Sequence, residues 1–323
     1  NSGTSALHLI IRTLGIKEDD EVITTPFSFI ASANCILFEK AKPIFVDIEK
    51  KTFNIDSHKI EEKITKKTKA ILAVDVFGHP ADWLALKRIA KKYKLYLIED
   101  SAEALGSEYK GRKCGSFGKT AIFAFYPNKQ ITTSGEGGVV LTNNKRIAEF
   151  CRSMSNQGRR EKNSKWLEHI RLGYNYRMPE VCAAMGIAQL KRIKTILAKR
   201  NKVANIYNKR LKNFPELKIP FVRMGMKVNW LVYVVLLNEK YRQKERDKIL
   251  QILRKKGIGC SNYFSCIHLQ PFYKKMFGYK KGDFPIAESI SQRTIALPFF
   301  NNLKEKEINY VVKNLKEIIT KLR

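Results

Sequence analysis

The chain has 323 residues, of which 44% are hydrophobic and 28% charged, a composition typical of a globular protein with room for a large domain and a smaller one. No apolar run approaches the ~20 residues that a membrane-spanning helix requires, so we expect no membrane partner. The net charge of +31 is spread over amphipathic segments without a recognition motif, so we expect no nucleic-acid partner; some positive field remains to attract an anionic substrate.

In the first half of the chain, short apolar runs typical of buried strands alternate with helical patterns. Strands are predicted at Glu21–Thr24, Pro43–Asp47, Ala70–Val76, Leu95–Glu99, Ala121–Phe125 and Gly138–Leu141. Helices are predicted at Thr4–Leu14, Asp82–Lys92 and Lys145–Met154. This alternation predicts an α/β fold with a mostly parallel sheet flanked by helices.

In the second half, apolar residues recur at intervals of three and four from Pro179 to about Phe214, which predicts a long helical stretch. A strand is predicted at Leu231–Leu237, followed by helices over 244–256 and 304–322. We therefore predict a large α/β domain over residues 1–205 and a smaller C-terminal α+β domain over residues 206–323.

The six cysteines form no Cys-x-x-Cys pair and no repeated pattern with histidine. We therefore expect neither disulfides nor a metal site, and we expect a reducing, cytoplasmic location. The chain opens inside patterned sequence, without a signal peptide or an initiator methionine, so we expect that an N-terminal segment is missing.

The segment Gly3-Thr4-Ser5-Ala6-Leu7 opens the first predicted helix with small and hydroxyl-bearing residues. The free N–H groups and the partial positive charge of a helix N-terminus suit a phosphate group. The alternative is that Thr4 or Ser5 serves only as a helix N-cap.

The segment Leu97–Glu103 is an apolar strand that ends in an acidic pair. Ligands of α/β proteins lie at the carboxyl ends of parallel strands, and an aspartate there, Asp100, could pair with a protonated ring nitrogen. Pyridoxal 5′-phosphate (PLP) needs such a partner because its protonated ring accepts electrons. The alternative role of Asp100 is a helix N-cap.

Lys129 follows a hydrophobic strand and precedes a turn rich in Gly, Thr and Ser. In a chain with 61 basic residues a lysine is by default on the surface, but a buried strand leads to this one. A lysine that forms a Schiff base must be neutral part of the time, which desolvation favours. The glycines after it let the backbone approach a ligand.

Several segments, in order along the chain, together resemble the sugar aminotransferase family called DegT/DnrJ/EryC1/StrS. The segments are Asn1–Leu14, Glu21–Ala33, Glu99–Gly118, Phe123–Gly138, Leu172–Leu190, Tyr263–Tyr273 and Ala296–Phe299. The Glu-Asp-Ser-Ala-Glu-Ala-Leu-Gly motif with Tyr-Lys-Gly is most similar to the perosamine-synthase branch. The resemblance implies a PLP-dependent enzyme of fold type I.

The resemblance also assigns roles to residues of the first half. Lys129 matches the lysine that binds PLP as a Schiff base and moves a proton, and Asp100 matches the partner of the ring nitrogen. Glu103 matches a residue near the ring oxygen or ring face, and Phe29 matches the aromatic that stacks on the ring. Thr4 and Ser5 match main-chain and hydroxyl contacts to the phosphate.

Further matches concern a neighbouring subunit and the substrate. Asn175 matches a residue that reaches the phosphate from the other subunit, which implies a homodimer with shared active sites. Arg177 is a candidate for that interface or for a substrate contact. His268 lies in a segment similar to the family's sugar-facing loop, although a lone histidine is commonly structural.

Two departures from the family pattern are visible. Many relatives carry Ser, whose hydroxyl bonds the phosphate, where Ala124 stands here. Relatives also carry a few dozen more residues before the first helix, which help to bind the sugar and to form the dimer. If those contacts are absent, the cofactor site remains but activity is in doubt.

We therefore expect transfer of an amino group from glutamate to a nucleotide-linked keto-sugar, a 4-keto-6-deoxyhexose by branch resemblance, in polysaccharide or lipopolysaccharide biosynthesis. One alternative is a PLP-dependent sugar dehydratase, but such relatives carry His in place of Lys129. Others are a non-catalytic regulatory protein on the same scaffold, and a nucleic-acid-binding protein whose affinity falls steeply with salt.

Overall fold

The computed structural model describes residues 1–160 and 165–322. The helices of these ranges are α1 (Gly3–Thr13), α2 (Ala31–Leu37), α3 (Trp83–Lys92), α4 (Lys145–Ser155), α5 (Glu180–Lys191), α6 (Ile193–Leu211), α7 (Gln243–Lys255), α8 (Pro271–Phe277), α9 (Pro285–Ser291) and α10 (Glu305–Lys321). The strands are β1 (Glu21–Thr24), β2 (Lys42–Phe45), β3 (Thr68–Val74), β4 (Tyr96–Asp100), β5 (Glu108–Tyr109), β6 (Arg112–Lys113), β7 (Thr120–Ala124), β8 (Gly138–Leu141), β9 (Leu217–Lys218), β10 (Met226–Lys227), β11 (Tyr233–Leu237) and β12 (Thr294–Leu297). None of the helices in the described ranges combines the length and apolarity that a bilayer crossing demands.

The main sheet has six strands in the order β2-β1-β3-β4-β7-β8. Its neighbouring strands pair in parallel except β7 and β8, which are antiparallel. β3 shows why both faces are covered: Ala70 and Leu72 pack into the core that α1 shares, whereas Ile71 and Ala73 pack into the core beneath α3. Such two-sided burial is typical of parallel sheets. The predicted α/β architecture is confirmed.

The register of the central strands places their carboxyl ends at one level. Val74 pairs with Asp100, which in turn pairs with Ile122. The loops that follow β3, β4 and β7 therefore meet at one edge of the sheet, where α/β proteins bind their ligands.

The long helical stretch predicted from Pro179 to about Phe214 is helical in the structure, but it is divided into α5 and α6 at Arg192. Arg192 has φ −98° and ψ 2°, outside the helical range. α5 contains no buried residue, whereas α6 buries one face, which explains why a single amphipathic period does not describe both.

A second sheet, β12-β11-β9, packs with α6, α7 and α10 around a separate hydrophobic core. The predicted boundary at 205/206 falls inside α6, whose Ala204 and Tyr207 both lie in that second core. Residues from β11, such as Val234, also join the core of the main sheet. The division into two domains therefore stays a prediction.

Candidate active site

One cavity of about 470 Å³ lies at the carboxyl edge of the main sheet. The predicted site residues Thr4, Phe29, Asp100, Glu103 and Lys129 all line it. They come from α1 and from the loops after β1, β4 and β7, and the topology brings them together. The volume is within the ~300–1,000 Å³ range of small-molecule sites.

Asp100 is the last residue of β4, and only 4% of its surface is exposed. Burial raises the pKa of Asp100 to about 6, because the charged carboxylate loses its hydration. The hydrogen bond from the Ala102 N–H to Oδ1 (3.1 Å), the charge of Lys129 and the Ser32 hydroxyl act in the opposite direction. At neutral pH the group is mostly ionised and can pair with a cation.

Lys129 lies in the turn after β7, where its backbone N–H donates to the Tyr126 carbonyl (2.8 Å). Its Nζ lies 3.6 Å from Glu103 Oε1, and its side chain is largely buried. The other carboxylate oxygen of Glu103 accepts the Phe77 N–H (2.8 Å). A largely buried amine thus lies beside the Glu103 carboxylate, and its charge also acts on Asp100.

The start of α1 forms another wall of the cavity. A Cβ on Gly3 would lie 2.7 Å from the Ala124 Cβ, so the first turn of α1 rests directly on β7. Thr4 lines the cavity, but Ser5 does not. The Ser5 hydroxyl donates to the Ser2 carbonyl (2.9 Å) and accepts the Ser2 N–H (3.0 Å) in a capping box. The structure thus uses the Ser5 side chain to cap α1 and does not bring it into the cavity, and its contact with a phosphate stays a prediction.

The structure does not bring His268, the predicted substrate contact, into the cavity either, so that role stays a prediction. Its side chain has no exposed surface, and its Nε2 lies 3.1 Å from Glu288 Oε1. The Phe284 ring packs against it at 4.7 Å, and burial lowers the pKa of the imidazole. This buried position is the one expected if His268 is a structural residue of the core.

Asn175 and Arg177 lie outside the cavity. The Asn175 carbonyl accepts a hydrogen bond from Asn1 Nδ2 (3.4 Å), and Arg177 Nη1 donates to Asn156 Oδ1 (3.1 Å). Neither side chain takes part in the site of its own chain, so their predicted roles toward a second subunit and the substrate stay predictions.

The cavity also contains polar residues that the sequence did not single out. Ser32 hydrogen-bonds Asp100, and its Oγ lies 2.9 Å from Ser28 Oγ. The signal that could have found them is their place directly after β1, at the same edge of the sheet as Asp100. The remaining polar residues of this kind are Tyr126, Asn128 and Glu136.

The chemistry of the lining fits PLP. Asp100 offers a buried carboxylate for a protonated ring nitrogen, and Lys129 offers an amine for the aldehyde. In α1 the Ser5 N–H is capped by Ser2 Oγ (3.1 Å), while the N–H groups of Gly3 and Thr4 have no partner within the helix. Those free donors and the helix dipole suit a phosphate. The small residues Gly3 and Ala124 occupy this corner of the cavity, where α1 meets β7. A Ser at position 124 would place its hydroxyl there.

Comparison with known proteins identifies the family. Residues 1–316 match the DegT/DnrJ/EryC1/StrS aminotransferase family. The chain is 43% identical to the uncharacterized protein MJ1066 of Methanocaldococcus jannaschii, covering 100% of this chain and 86% of that one. It is 38% identical to GDP-perosamine synthase of Escherichia coli O157:H7, covering 98% and 84%.

A solved structure agrees as well. The PLP form of the putative sugar aminotransferase Spr1654 from Streptococcus pneumoniae superposes with a TM-score of 0.94 at 27% identity. The match covers 100% of this chain and 86% of that one. The cofactor is PLP, and the chain belongs to the DegT/DnrJ/EryC1/StrS aminotransferase family.

Proposed function

We propose that this protein transfers an amino group from glutamate to a nucleotide-linked keto-sugar, a 4-keto-6-deoxyhexose, in polysaccharide or lipopolysaccharide biosynthesis. The observation that carries the proposal is the meeting of Lys129, Asp100 and the start of α1 in one cavity. The similarity to a GDP-perosamine synthase supports the choice of a nucleotide-linked sugar.

Four groups of the cavity would hold the cofactor: Lys129 covalently, Asp100 at the ring nitrogen, Phe29 at the ring face, and the start of α1 with Thr4 at the phosphate. When bound, PLP supplies a protonated ring that accepts electrons from the carbon losing its proton. Asp100 holds the proton on that ring nitrogen, and its burial strengthens the interaction.

Lys129 moves the reacting proton. Its Nζ lies on the cavity wall beside Glu103, where it would move a proton from the donor carbon to the cofactor and, in the second half of the reaction, from the cofactor to the sugar carbon. The Glu103 carboxylate, fixed by the Phe77 N–H, would stabilise the positive charge on that nitrogen while it carries the proton in each half.

The sugar enters beside an exposed aromatic side chain. Tyr126 is 48% exposed and lines the cavity, whereas Phe29 is assigned to the cofactor ring. Aromatic faces of this kind bind the apolar face of a sugar ring. The net charge of +31 attracts the diphosphate of the nucleotide.

We propose a homodimer in which Asn175 reaches the phosphate site of the partner subunit. α5 supports this assembly, because it has no buried residue although eight of its 12 residues are hydrophobic. Val181 is 74% exposed and Ile187 is 59% exposed. Trp166, 87% exposed, lies in the segment between α4 and α5 that also carries Asn175. Apolar exposure on this scale marks a protein interface.

Val181→Asp tests the dimer, because a charge in an apolar interface is costly. We expect the variant to elute as a monomer in size exclusion with light scattering, and to bind PLP more weakly. Leu84→Asp, which changes an exposed leucine of α3, is the matched control and should remain dimeric. Equal masses for the two variants and the unchanged protein would place the interface elsewhere.

We also propose that the protein works in the cytoplasm. All six cysteines are free thiols, among them the buried Cys35 and Cys114. Burial raises the pKa of both thiols, which keeps them protonated and unreactive.

A spectroscopic screen tests the function. The PLP-loaded protein is treated with glutamate, which should convert the cofactor to its amine form and bleach the yellow absorbance. Nucleotide-linked keto-sugars are then added one at a time, and recovery of the absorbance names the acceptor. A protein that takes up PLP but does not respond to glutamate would be a dehydratase or a regulatory protein instead.

A further inference from the structure

Glu103 is held by more contacts than a cavity-lining residue needs. Its carboxylate accepts the Phe77 N–H (2.8 Å) and lies 3.6 Å from Lys129 Nζ. Its backbone carbonyl accepts two side-chain amides, Gln130 Nε2 (2.7 Å) and Asn229 Nδ2 (2.8 Å). Both lone pairs of this carbonyl are therefore used, by donors from distant parts of the chain.

Asn229 comes from the segment before β11, which packs against the second core. It is 3% exposed, and its Nδ2 donates a second hydrogen bond, to the Leu105 carbonyl (3.0 Å). Its backbone N–H donates to Ser107 Oγ (3.1 Å), and that hydroxyl donates to the Gly78 carbonyl (2.6 Å). One asparagine thus ties the turn after β4 to the turn after β3.

The fit around Asn229 leaves no freedom. Its Oδ1 would lie 2.0 Å from a Cβ on residue 78, where Gly78 has a φ of +81°. That oxygen is buried and has no hydrogen-bond partner within the described ranges, although a buried acceptor without a partner costs stability. Turning the amide over would place Oδ1 against the carbonyls of Glu103 and Leu105, so the orientation is fixed.

Gln130 ties the same carbonyl from the opposite direction. It is 4% exposed and directly follows Lys129, so its hydrogen bond couples the lysine-bearing turn to the Glu103 turn. The distance between the Glu103 carboxylate and the Lys129 amine therefore depends on two amides that touch neither the amine nor the cavity.

We propose that Asn229 and Gln130 are positioning residues that hold the Glu103 carboxylate beside the Lys129 amine, so that the C-terminal part of the chain sets the charge balance at the reacting nitrogen. The importance of this arrangement for catalysis rests on the proposed function, whereas the arrangement itself does not.

The test measures the reactivity of Lys129 in the full-length, cofactor-free protein. The protein is acylated briefly with acetic anhydride at fixed pH, and the Lys129 peptide is quantified by mass spectrometry. Because only the neutral amine reacts, loss of the neighbouring carboxylate in Glu103→Gln should raise the rate by about tenfold. Asn229→Ala and Gln130→Ala should raise it about twofold or more, in the same direction.

Asn201→Ala is the matched control. Its side chain accepts a hydrogen bond from the Trp230 ring (3.2 Å), next to Asn229, but does not reach the Glu103 turn. The Lys129 rate should be unchanged in this variant. The decisive measurement is the double variant Glu103→Gln/Asn229→Ala, whose rate should equal that of Glu103→Gln alone.

A further increase in the double variant would mean that Asn229→Ala only loosens the fold, and would overturn the proposal. The same holds if Asn229→Ala and Asn201→Ala give equal rates. In the PLP-loaded protein, the pH at the midpoint of the absorbance change should also shift. The shift should be largest in Glu103→Gln, smaller in Asn229→Ala and Gln130→Ala, and absent in Asn201→Ala. A protein that never takes up PLP leaves the acylation result intact, so failure of the proposed function is recognised separately.

Discussion

Glu99 and Asp100 are neighbours on β4, yet they belong to two different sites. Successive side chains of a strand point to opposite faces of the sheet, so Asp100 enters the cavity whereas Glu99 faces the α3 side. Both are buried, and burial raises the pKa of both carboxyl groups. A raised pKa alone therefore does not distinguish a residue that serves the cavity from one that serves the fold.

The difference lies in the donors around each carboxylate. Glu99 accepts hydrogen bonds from the backbone N–H groups of Gly115, Phe117 and Gly118 and from the Ser101 hydroxyl, so both of its oxygens are occupied. Asp75 next to it accepts from the Ala81 N–H (2.8 Å), and its other oxygen lies 2.7 Å from the Ser101 hydroxyl, whose single proton the two carboxylates share. This closed cluster fixes loops, while Asp100 keeps hydrogen-bonding capacity free for a ligand.

The largest effect is expected from Lys129→Ala on the cavity side. Removing the residue that moves the proton should lower turnover by at least about 10²–10⁴-fold. Borohydride treatment of the PLP-loaded protein should no longer add the cofactor mass to the peptide that contains position 129. Lys145→Ala, at the start of α4 and away from the cavity, is the control and should retain both properties. Retained turnover in Lys129→Ala would contradict the site.

The pair Asp100→Asn and Glu99→Gln separates the two faces directly. Asp100→Asn should lower turnover by about 10–10³-fold, because an opposite charge near a protonated nitrogen is worth about 1–3 pKa units. Glu99→Gln should leave turnover per folded molecule unchanged but should destabilise the protein by about 1–3 kcal/mol. Each Glu99 oxygen accepts a backbone N–H, so the amide nitrogen of Gln at either position would face another donor and lose a hydrogen bond. Kinetics and urea unfolding of both variants check this, and a kinetic defect in Glu99→Gln would break the comparison.

This contrast also marks what the sequence can predict. The apolar strand before Asp100 and the one before Lys129 predict their positions, because parallel strands end at one edge of a sheet. The sequence did not predict that both carboxylate oxygens of Glu99 accept hydrogen bonds, since the backbone donors lie in a loop 16 to 19 residues away. The use of the Ser5 hydroxyl as a cap, and the burial of His268, likewise depend on contacts that local patterns do not contain.

The break between α5 and α6 was missed for a related reason. Periodicity finds an amphipathic helix by its buried face, and α5 has none within this chain. Its apolar residues continue the pattern of α6 without packing on the same core. The proposed contact with a second subunit explains why an exposed helix carries core-like residues such as Val181 and Ile187.

The closed cluster should also be visible in the pH dependence of stability. Burial, followed by repulsion from Glu99, raises the pKa of Asp75 well above its usual range, and burial raises that of Glu99. Acids with raised pKa values bind protons more tightly in the folded state. Their contribution to stability is therefore full below the unfolded pKa values of about 4 and is lost as the pH rises through the folded ones.

Asp75→Asn removes one of these charges but keeps an acceptor for the Ala81 N–H. We expect a higher free energy of unfolding at pH 8, by on the order of 1 kcal/mol, and a smaller fall in stability between pH 5 and pH 8. Urea unfolding across this range is the measurement. Asp100→Asn is the comparison, because the pKa of Asp100, about 6, places its own loss of stability at the acidic end of the range. If stability falls equally steeply between pH 5 and pH 8 in Asp75→Asn and in the unchanged protein, Asp75 and Glu99 do not bind an additional proton in the folded state.

The smallest effect on catalysis is expected at His268, a titratable residue that is buried like Glu99 and also outside the cavity. His268→Gln keeps a donor for Glu288 at a similar reach, so the KM for the sugar and kcat should stay within about twofold, while stability falls by about 1 kcal/mol. Tyr126→Ala is the matched change on the cavity side, and it should raise the KM because that ring lines the cavity where the sugar enters. A large KM effect in His268→Gln with none in Tyr126→Ala would reverse the assignment. The segment before α8 would then bind the sugar. The number of hydrogen-bond donors around a buried titratable group would no longer distinguish residues that stabilise the fold from residues that serve the cavity.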